Sequence, residues 1–327
     1  MMSKRSFACS LLAMAVSFAA HAQSVKSQIS FPQTPLGIAV NPLTNLIYVA
    51  APSYGGATDS IAVIDGKSDS ITKQITVPRG AQFPVADFSQ NRLYVVGCDT
   101  YSTNFSCLIT SINTKTNKVL CTETITTTPG DGILATAYDV STGTLYLANG
   151  SNSRIDVVNT SSLQVIDSIS TNGLEPFGLS FNPFNHRLYA TYYSDQVQVF
   201  DVRTKASLAV ATVGTQDYYS AVNLVTGNVF VTDNLFGPST TAVLDQDGKL
   251  ITQIPVSTGP ANLDVDPFTN KTFVLSTNTP ALNVIDGSTN TVSATLPNVT
   301  GSFIAVNVGS GKVYISGASG ITVVSEK

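Results

Sequence analysis

Four acidic residues are the first candidates for a catalytic or cation-binding role in this sequence: Asp131, Glu175, Asp217 and Asp264. Carboxylate oxygens are the ligands that calcium prefers, and carboxyl groups also act as general acids and bases in hydrolysis. If the four side chains meet, they would suit a hydrolase of lactones or esters that uses a divalent cation. Whether they meet depends on the elements that carry them.

Histidine and cysteine are too scarce for several other kinds of site. His186 is the only histidine beyond residue 22, and it lies in the turn-like segment NPFNHR. Zinc, copper and haem sites normally require more than one imidazole or a cluster of cysteines. A serine triad would need His186 beside a G-x-S-x-G elbow, which the chain lacks. We therefore assign no catalytic residue and no metal ligand, and expect no cofactor unless calcium serves the hydrolase.

The N-terminal residues have the pattern of a secretory signal peptide. Lys4 and Arg5 precede an uncharged stretch over 7–20, and the small-residue segment Ala20-His21-Ala22 follows. That stretch is shorter than the roughly 20 residues of a membrane-spanning helix. We predict a cleaved signal peptide over 1–22 and export of residues 23–327 to the periplasm or the extracellular space, without a membrane span.

The charge of the exported part excludes one class of partner. Residues 23–327 keep 15 of the 17 basic residues and all 21 acidic residues, which gives a net charge of −6. A chain of this charge has no electrostatic reason to bind nucleic acid.

A repeat covers the chain from residue 23 onward. Segments such as NPLTNLIYVA at 41 and DPFTNKTFVL at 266 recur seven times, 41 to 52 residues apart. Each unit contains four short apolar runs separated by polar turns, and no segment beyond residue 22 has helical periodicity. This period predicts an all-β fold, a single seven-bladed β-propeller of four-stranded blades. The aromatic residues that mark the copies are Tyr48, Tyr94, Tyr146, Tyr189, Phe230, Phe273 and Tyr314.

The two ends of the chain predict how the ring closes. The last copy stops after its third run, GITVVSEK, whereas VKSQISFP at 25–32 matches ITKQITVP at 71–78, the fourth run of the first copy. The N-terminal segment should therefore pair onto the last blade, with apolar contacts from Val25, Ile29 and Phe31.

The repeats resemble a known family. The segments LYLAN, VNTSSLQVIDSI and VIDGSTNTVSATL are similar to the repeats of the YVTN, or YncE-like, seven-bladed propellers of bacteria and archaea. The resemblance covers all seven copies and implies the propeller fold and a periplasmic or surface location. It brings no recognised catalytic set.

The cysteines beyond residue 22 all lie in the second repeat. Cys98 ends a second strand and Cys107 begins a third, so they can face each other across the hairpin and form a disulfide. Cys121 belongs to the fourth strand, which does not adjoin the second, and we expect it to be a buried free thiol.

Ligand-binding residues are expected at one mouth of the central channel. Loops from each fourth strand to the next first strand, and from second to third strands, gather carboxylates and aromatic rings there. Asp264 differs from the others because it takes the place of a small residue in an innermost strand. The candidate residues are Arg79, Tyr101, Asp131, Glu175, Tyr193, Asp217, Tyr218, Asp233 and Asp264.

Two functions fit these features. One is a non-enzymatic binding or scaffold module, a monomer that holds a small polar ligand, a glycan, a peptide or a protein at the mouth. The other is a hydrolase of the propeller lactonase type, which would use the carboxylate cluster and calcium.

Overall fold

The computed structural model describes residues 23–326 except 101–104, 127, 129 and 234–238, and only the backbone of Asp217 and Tyr218. Strands make up 61% of the structure and helix 1%, which confirms the predicted all-β class. The strands form seven four-stranded antiparallel sheets. Innermost strands of successive sheets contact each other, and the last contacts the first, so the sheets are the blades of a closed ring.

The strands follow chain order within each blade, from the channel outward. The first strand of the described residues is β1 (Ser24–Ile29). Blade 1 contains β2 (Ile38–Asn41), β3 (Leu46–Ala51), β4 (Thr58–Asp65) and β5 (Ser70–Pro78). Blade 2 contains β6 (Phe83–Asp87), β7 (Arg92–Asp99), β8 (Ser106–Asn113) and β9 (Lys118–Thr126). Blade 3 contains β10 (Ile133–Asp139), β11 (Thr144–Asn149), β12 (Arg154–Asn159) and β13 (Gln164–Ser170), with a 3-10 turn at Gly150–Asn152.

The remaining blades repeat this order. Blade 4 contains β14 (Pro176–Asn182), β15 (Arg187–Tyr192), β16 (Gln196–Asp201) and β17 (Ala206–Thr212). Blade 5 contains β18 (Asp217–Val222), β19 (Val229–Asp233), β20 (Thr240–Leu244) and β21 (Leu250–Pro255). Blade 6 contains β22 (Pro260–Asp266), β23 (Lys271–Ser276), β24 (Ala281–Asp286) and β25 (Thr291–Pro297). Blade 7 contains β26 (Phe303–Asn307), β27 (Lys312–Gly317) and β28 (Gly320–Ser325).

β1 completes blade 7, as the matching end segments predicted. It pairs antiparallel with β28, in the register Ile29 with Ile321 and Ser24 with Ser325. Ile29 is 8% exposed, whereas Val25 is 53% exposed. The predicted contact of Val25 was therefore wrong, because this side chain lies on the solvent side of an outermost strand.

The repeated aromatic residues form the inner part of the blade-to-blade core. In every blade the aromatic of the second strand pairs with a residue of the innermost strand, as Tyr48 does with Ala39 and Phe273 with Asp264. The seven aromatic side chains are 4% exposed or less. A small partner leaves room for the ring between blades, and Asp264 is the one charged residue at this position.

Asparagine and aspartate hold the tight turns of each blade. At the end of the first strand, the side chain of Asn182 accepts a hydrogen bond from the backbone N–H of Phe184 at 3.0 Å. His186 ends the same turn with φ 57°, the left-handed conformation that asparagine or glycine adopts at this point in the other blades. His186 is thus a turn residue on the side of the ring opposite the predicted mouth.

The cysteines of blade 2 have two different environments. Cys98 in β7 and Cys107 in β8 are directly paired, with Cα atoms 3.9 Å apart, and their sulfur atoms are bonded. Cys121 is exposed, and its thiol donates a hydrogen bond to Glu123 at 3.3 Å. The prediction of a buried Cys121 was wrong because β9 is the outer strand of its blade and has solvent on one side.

Candidate functional site

The predicted mouth lies where the innermost strands begin, and we call this side of the ring the mouth face. The opposite side carries the turns from first to second strands and from third to fourth strands, and we call it the turn face. Antiparallel order places these two sets of connections at opposite ends of the blades. The candidate residues can therefore be compared by their depth along the channel.

A cavity of about 190 Å³ lies on the mouth face between blades 1 and 2. Arg79 lines it and forms an ion pair with Asp99 at 3.6 Å. Asp59 also lines it, and its carboxylate accepts hydrogen bonds from the backbone N–H groups of Ser53 and Gly80, both at 2.8 Å. Asp59 was not singled out in the sequence, since its partners in the fold are not visible in its own segment. Its role here is to hold two loops in place.

Two predicted carboxylates have the same kind of structural role. Asp131 is 7% exposed and accepts hydrogen bonds from Thr126 at 2.6 Å and Asn152 at 2.7 Å. Asp233 is 6% exposed and accepts hydrogen bonds from the backbone N–H groups of Thr215 and Gln216. Both carboxylates thus hold loops in place through hydrogen bonds, to both oxygens in Asp131 and to Oδ1 in Asp233.

An aromatic group lies at the mouth beside blades 4 and 5. The ring of Phe177 is 6.0 Å from that of Tyr193 and 5.5 Å from that of Tyr219, measured between centroids. Tyr193 is 56% exposed, and Glu175 is exposed close by in sequence. Burial raises the pKa of Tyr219 to about 12, so its hydroxyl stays protonated. We call Phe177, Tyr193 and Tyr219 the aromatic rim.

The aromatic rim borders the upper part of the channel. A cavity of about 170 Å³ is lined there by residues from all seven innermost strands or the segments just before them, including Tyr219 and Asn262. Phe83 and Phe303 meet edge to face across it, with centroids 6.1 Å apart. The upper channel thus combines apolar rings with polar groups such as those of Ser220 and Asn262, a mixture that can orient a small polar ligand.

Asp264 lies deeper in the channel than the other candidates. It lines a second cavity of the channel, which has a volume of about 420 Å³. The hydroxyls of Ser180 and Ser220, which are hydrogen-bonded to each other, line the same cavity. Its carboxylate accepts hydrogen bonds from the backbone N–H groups of Val265 and Val306, both at 2.8 Å. Burial raises the pKa of Asp264 to about 6, although these two bonds act in the opposite direction. Asp131 and Glu175 do not line this cavity.

The structure leaves three of the nine candidates open. Tyr101 lies outside the described residues, and the side chains of Asp217 and Tyr218 are not described. Of the four carboxylates that opened the sequence analysis, Asp131 and Asp264 have separate sets of partners. Among the described residues, no group of three or more histidine, cysteine, aspartate or glutamate side chains is arranged to hold a metal ion.

A pair of buried carboxyl groups was missed in the sequence. Glu326 and Asp266 are each 2% exposed, and their carboxyl groups lie close enough to interact. The two residues belong to neighbouring blades and are 60 positions apart. Asp266 also accepts hydrogen bonds from the turn that follows β22, so the pair belongs to the turn face.

Comparison with known proteins does not assign the chain to a family. No protein-family model matches the chain. No curated protein matches it either. Within the described residues, none of the helical structure is long and apolar enough to cross a membrane.

Proposed function

We propose that this chain is an exported binding module, a YVTN-like propeller that holds a small polar ligand at the channel mouth. The aromatic rim is the observation that carries the proposal. Tyr193 is 56% exposed beside Phe177 and next to a cavity that Tyr219 lines. A half-exposed aromatic cluster at a concave opening suits a ligand with both an apolar face and hydroxyl groups, such as a sugar ring.

The environment of the carboxylates favours binding over hydrolysis. A lactonase would need an acid and a base, or several cation ligands, in reach of one substrate. Asp131 and Asp233 already accept hydrogen bonds from side chains or loop N–H groups, and Asp264 lines a separate, deeper cavity. The lactonase hypothesis therefore has less support than the binding hypothesis.

Export is proposed on two grounds. Residues 1–22 have the order of charge, apolar stretch and small residues that signal peptidases recognise. The bond between Cys98 and Cys107 is of the kind that persists in oxidising compartments. Mass spectrometry of the protein from a periplasmic extract tests this point, and a mature form that begins at Gln23 is the expected result.

Titration calorimetry with neutral oligosaccharides, from disaccharides to hexasaccharides, tests the binding hypothesis. We expect at least one of these oligosaccharides to bind. Tyr193→Ala should weaken its affinity roughly tenfold, because stacking of a ligand ring on one aromatic side chain is worth about 1 to 3 kcal/mol. Arg187→Ala on the turn face is the matched control and should leave the affinity unchanged. Equal loss in both variants would show that the aromatic rim is not the site.

A parallel assay separates the two functions. Aliphatic and sugar lactones, offered with and without calcium, should not be hydrolysed above the background rate. Turnover that Asp264→Asn abolishes would instead assign the protein to the hydrolases.

A further inference from the structure

The turn face carries one position that is built in the same way in all seven blades. It is the second residue after the asparagine or aspartate that ends the innermost strand, and its backbone N–H donates to that side chain at 2.8 to 3.1 Å. We call it the tip position. Identical anchoring holds the seven tips in equivalent places around the ring. The tip residues are Leu43, Ser89, Ser141, Phe184, Val225, Phe268 and Gly309.

Four tips are large apolar side chains that project into solvent. Leu43 is 77% exposed, Phe184 76%, Val225 67% and Phe268 78%. Three of them occupy consecutive blades, 4 to 6, and the fourth belongs to blade 1. Exposed apolar side chains grouped on one face of a protein usually mark a surface that contacts something else.

Hydrogen bonds connect the turns of some neighbouring blades on this face. The side-chain amide of Asn223 in blade 5 donates to Asn270 in blade 6 at 2.7 Å, and that of Asn307 in blade 7 donates to Asn45 in blade 1 at the same distance. Tyr189 of blade 4 donates to the backbone of Gln246 in blade 5 at 2.7 Å. On the turn face, blades 4, 5 and 6 are therefore joined to each other by hydrogen bonds, as are blades 7 and 1.

The accessible charge of the turn face is positive, although residues 23–327 carry a net charge of −6. In or beside the described turns of this face, six basic residues are exposed, against two exposed acidic residues, Asp247 and Asp167, of which Asp167 pairs with Lys205. Other carboxylates of the face are buried, such as Asp139 and Glu326, or half-buried, such as Asp65 and Asp245. The half-buried Asp201 pairs with Arg203 at 3.1 Å. The exposed basic residues are Lys67, Lys115, Lys118, Arg203, Lys205 and Lys249.

We propose that the turn face docks onto a lipid bilayer that contains anionic headgroups. The four apolar tips enter the boundary between headgroups and acyl chains, and the six cations lie near the lipid phosphates. The four apolar tips are separated from one another around the ring. A bilayer is flat and fluid, so it can accept separate side chains without a preformed pocket for each. A protein partner would have to supply a separate pocket for each tip.

This orientation would leave the channel mouth open. The mouth face lies at the other end of the blades, so the aromatic rim would point away from the bilayer. The proposal rests only on the tips and the charges of the turn face, and it holds whether or not the aromatic rim binds a sugar.

Sedimentation with lipid vesicles tests the proposal. The purified protein is mixed with vesicles of equal parts phosphatidylcholine and phosphatidylglycerol, and separately with vesicles of phosphatidylcholine alone. We expect binding to the anionic vesicles that is at least tenfold stronger than binding to the neutral ones. The double variant Phe184→Ser/Phe268→Ser should bind the anionic vesicles at least tenfold more weakly.

Serine is a conservative choice for these variants because blades 2 and 3 already use it at the tip position. The tip's hydrogen bond comes from the backbone, so the turns should keep their conformation and the melting temperature should change little. The converse variant Ser89→Phe/Ser141→Phe should bind several-fold more tightly than the unchanged protein. Tyr193→Ala on the mouth face should bind as the unchanged protein does.

Three outcomes would overturn the proposal. The first is a protein that does not sediment with the phosphatidylglycerol vesicles. The second is a double serine variant that binds as well as the unchanged protein. The third is a protein that ignores the vesicles but forms a dimer that the double serine variant abolishes, which would assign the tips to a second copy of the chain.

Discussion

Glu326 in blade 7 and Asp266 in blade 6 face each other across the last blade interface, with their carboxyl groups close together and almost fully buried. Burial is the main cause that raises the pKa of Glu326 to about 8, and the carboxyl group of Asp266 acts in the same direction. The amine of Lys271 lowers that pKa, and Asp264 adds a small increase. At neutral pH the pair therefore holds a proton.

This proton makes stability depend on pH. The pKa of Glu326 rises from an ordinary 4.5 to about 8 on folding. The contribution of Glu326 to the free energy of unfolding is therefore complete below about pH 4.5 and is lost as the pH rises through about 8. At 1.36 kcal/mol per pKa unit the total is roughly 5 kcal/mol. We expect urea denaturation to show a fall in the free energy of unfolding from about pH 4.5 to about pH 8, with little further change above it. In Glu326→Gln, which cannot ionise, the fall should be smaller.

A control for this experiment is Glu175→Gln, which changes an exposed carboxylate and should keep the full slope of the unchanged protein. Parallel pH curves for Glu326→Gln and the unchanged protein would refute the proton-sharing pair.

Ring closure by β1 predicts unequal effects of two neighbouring substitutions. Ile29→Ala removes a buried side chain that packs with Ile321 and Val323, and should cost about 2 to 5 kcal/mol. Val25→Ala, in the same strand, removes a side chain that is 53% exposed and should cost less than about 0.5 kcal/mol. Thermal unfolding measures both. If the two variants melt together, β1 does not seal blade 7 through Ile29.

The disulfide should stabilise the hairpin between β7 and β8. It closes a loop with a sequence separation of 9 residues, for which chain entropy gives roughly 2.5 kcal/mol. Cys98→Ala/Cys107→Ala should therefore melt at a lower temperature, and a reductant should lower the unchanged protein to a similar value. A reductant without effect on the unchanged protein would show that the bond is not formed.

Cys121 should react with a maleimide in the folded protein because its thiol is exposed. The hydrogen bond to Glu123 is the main cause that raises its pKa, so the reaction should be slower than that of a free thiol at the same pH. Mass spectrometry should find one label per chain without denaturant, and none in Cys121→Ser.

The propeller architecture could be predicted from the sequence because the repeat occurs seven times at a similar spacing. The spacing of the seven aromatic residues predicted the blades, and the match between 25–32 and 71–78 predicted the closure. The same logic failed for Cys121 and Val25. Strand alternation alone does not say that the outermost strand of a blade has solvent on one side.

The candidate site was predicted less well, since hydrogen bonds between distant loops leave no periodic pattern. Asp131 and Asp233 looked available but hold loops, and Asp59 does the same without any signal in its own segment. The contact of Asp266 with Glu326 arises only when two blades pack. The apolar tips, by contrast, could have been read from NPLT, NPFN and DPFT, where a turn carries a leucine or phenylalanine.

The pairing of β1 with β28 has a consequence for the order of events during synthesis. Residues 24–29 are made before their partners at 320–325, with nearly 300 residues between them. At about 5 to 20 residues per second, roughly 15 to 60 s separate the two strands on a ribosome. Blade 7 cannot be complete during that interval, and the chain stays an open arc. If the protein is exported as proposed, a translocation channel would therefore receive it as a thread before the circle exists.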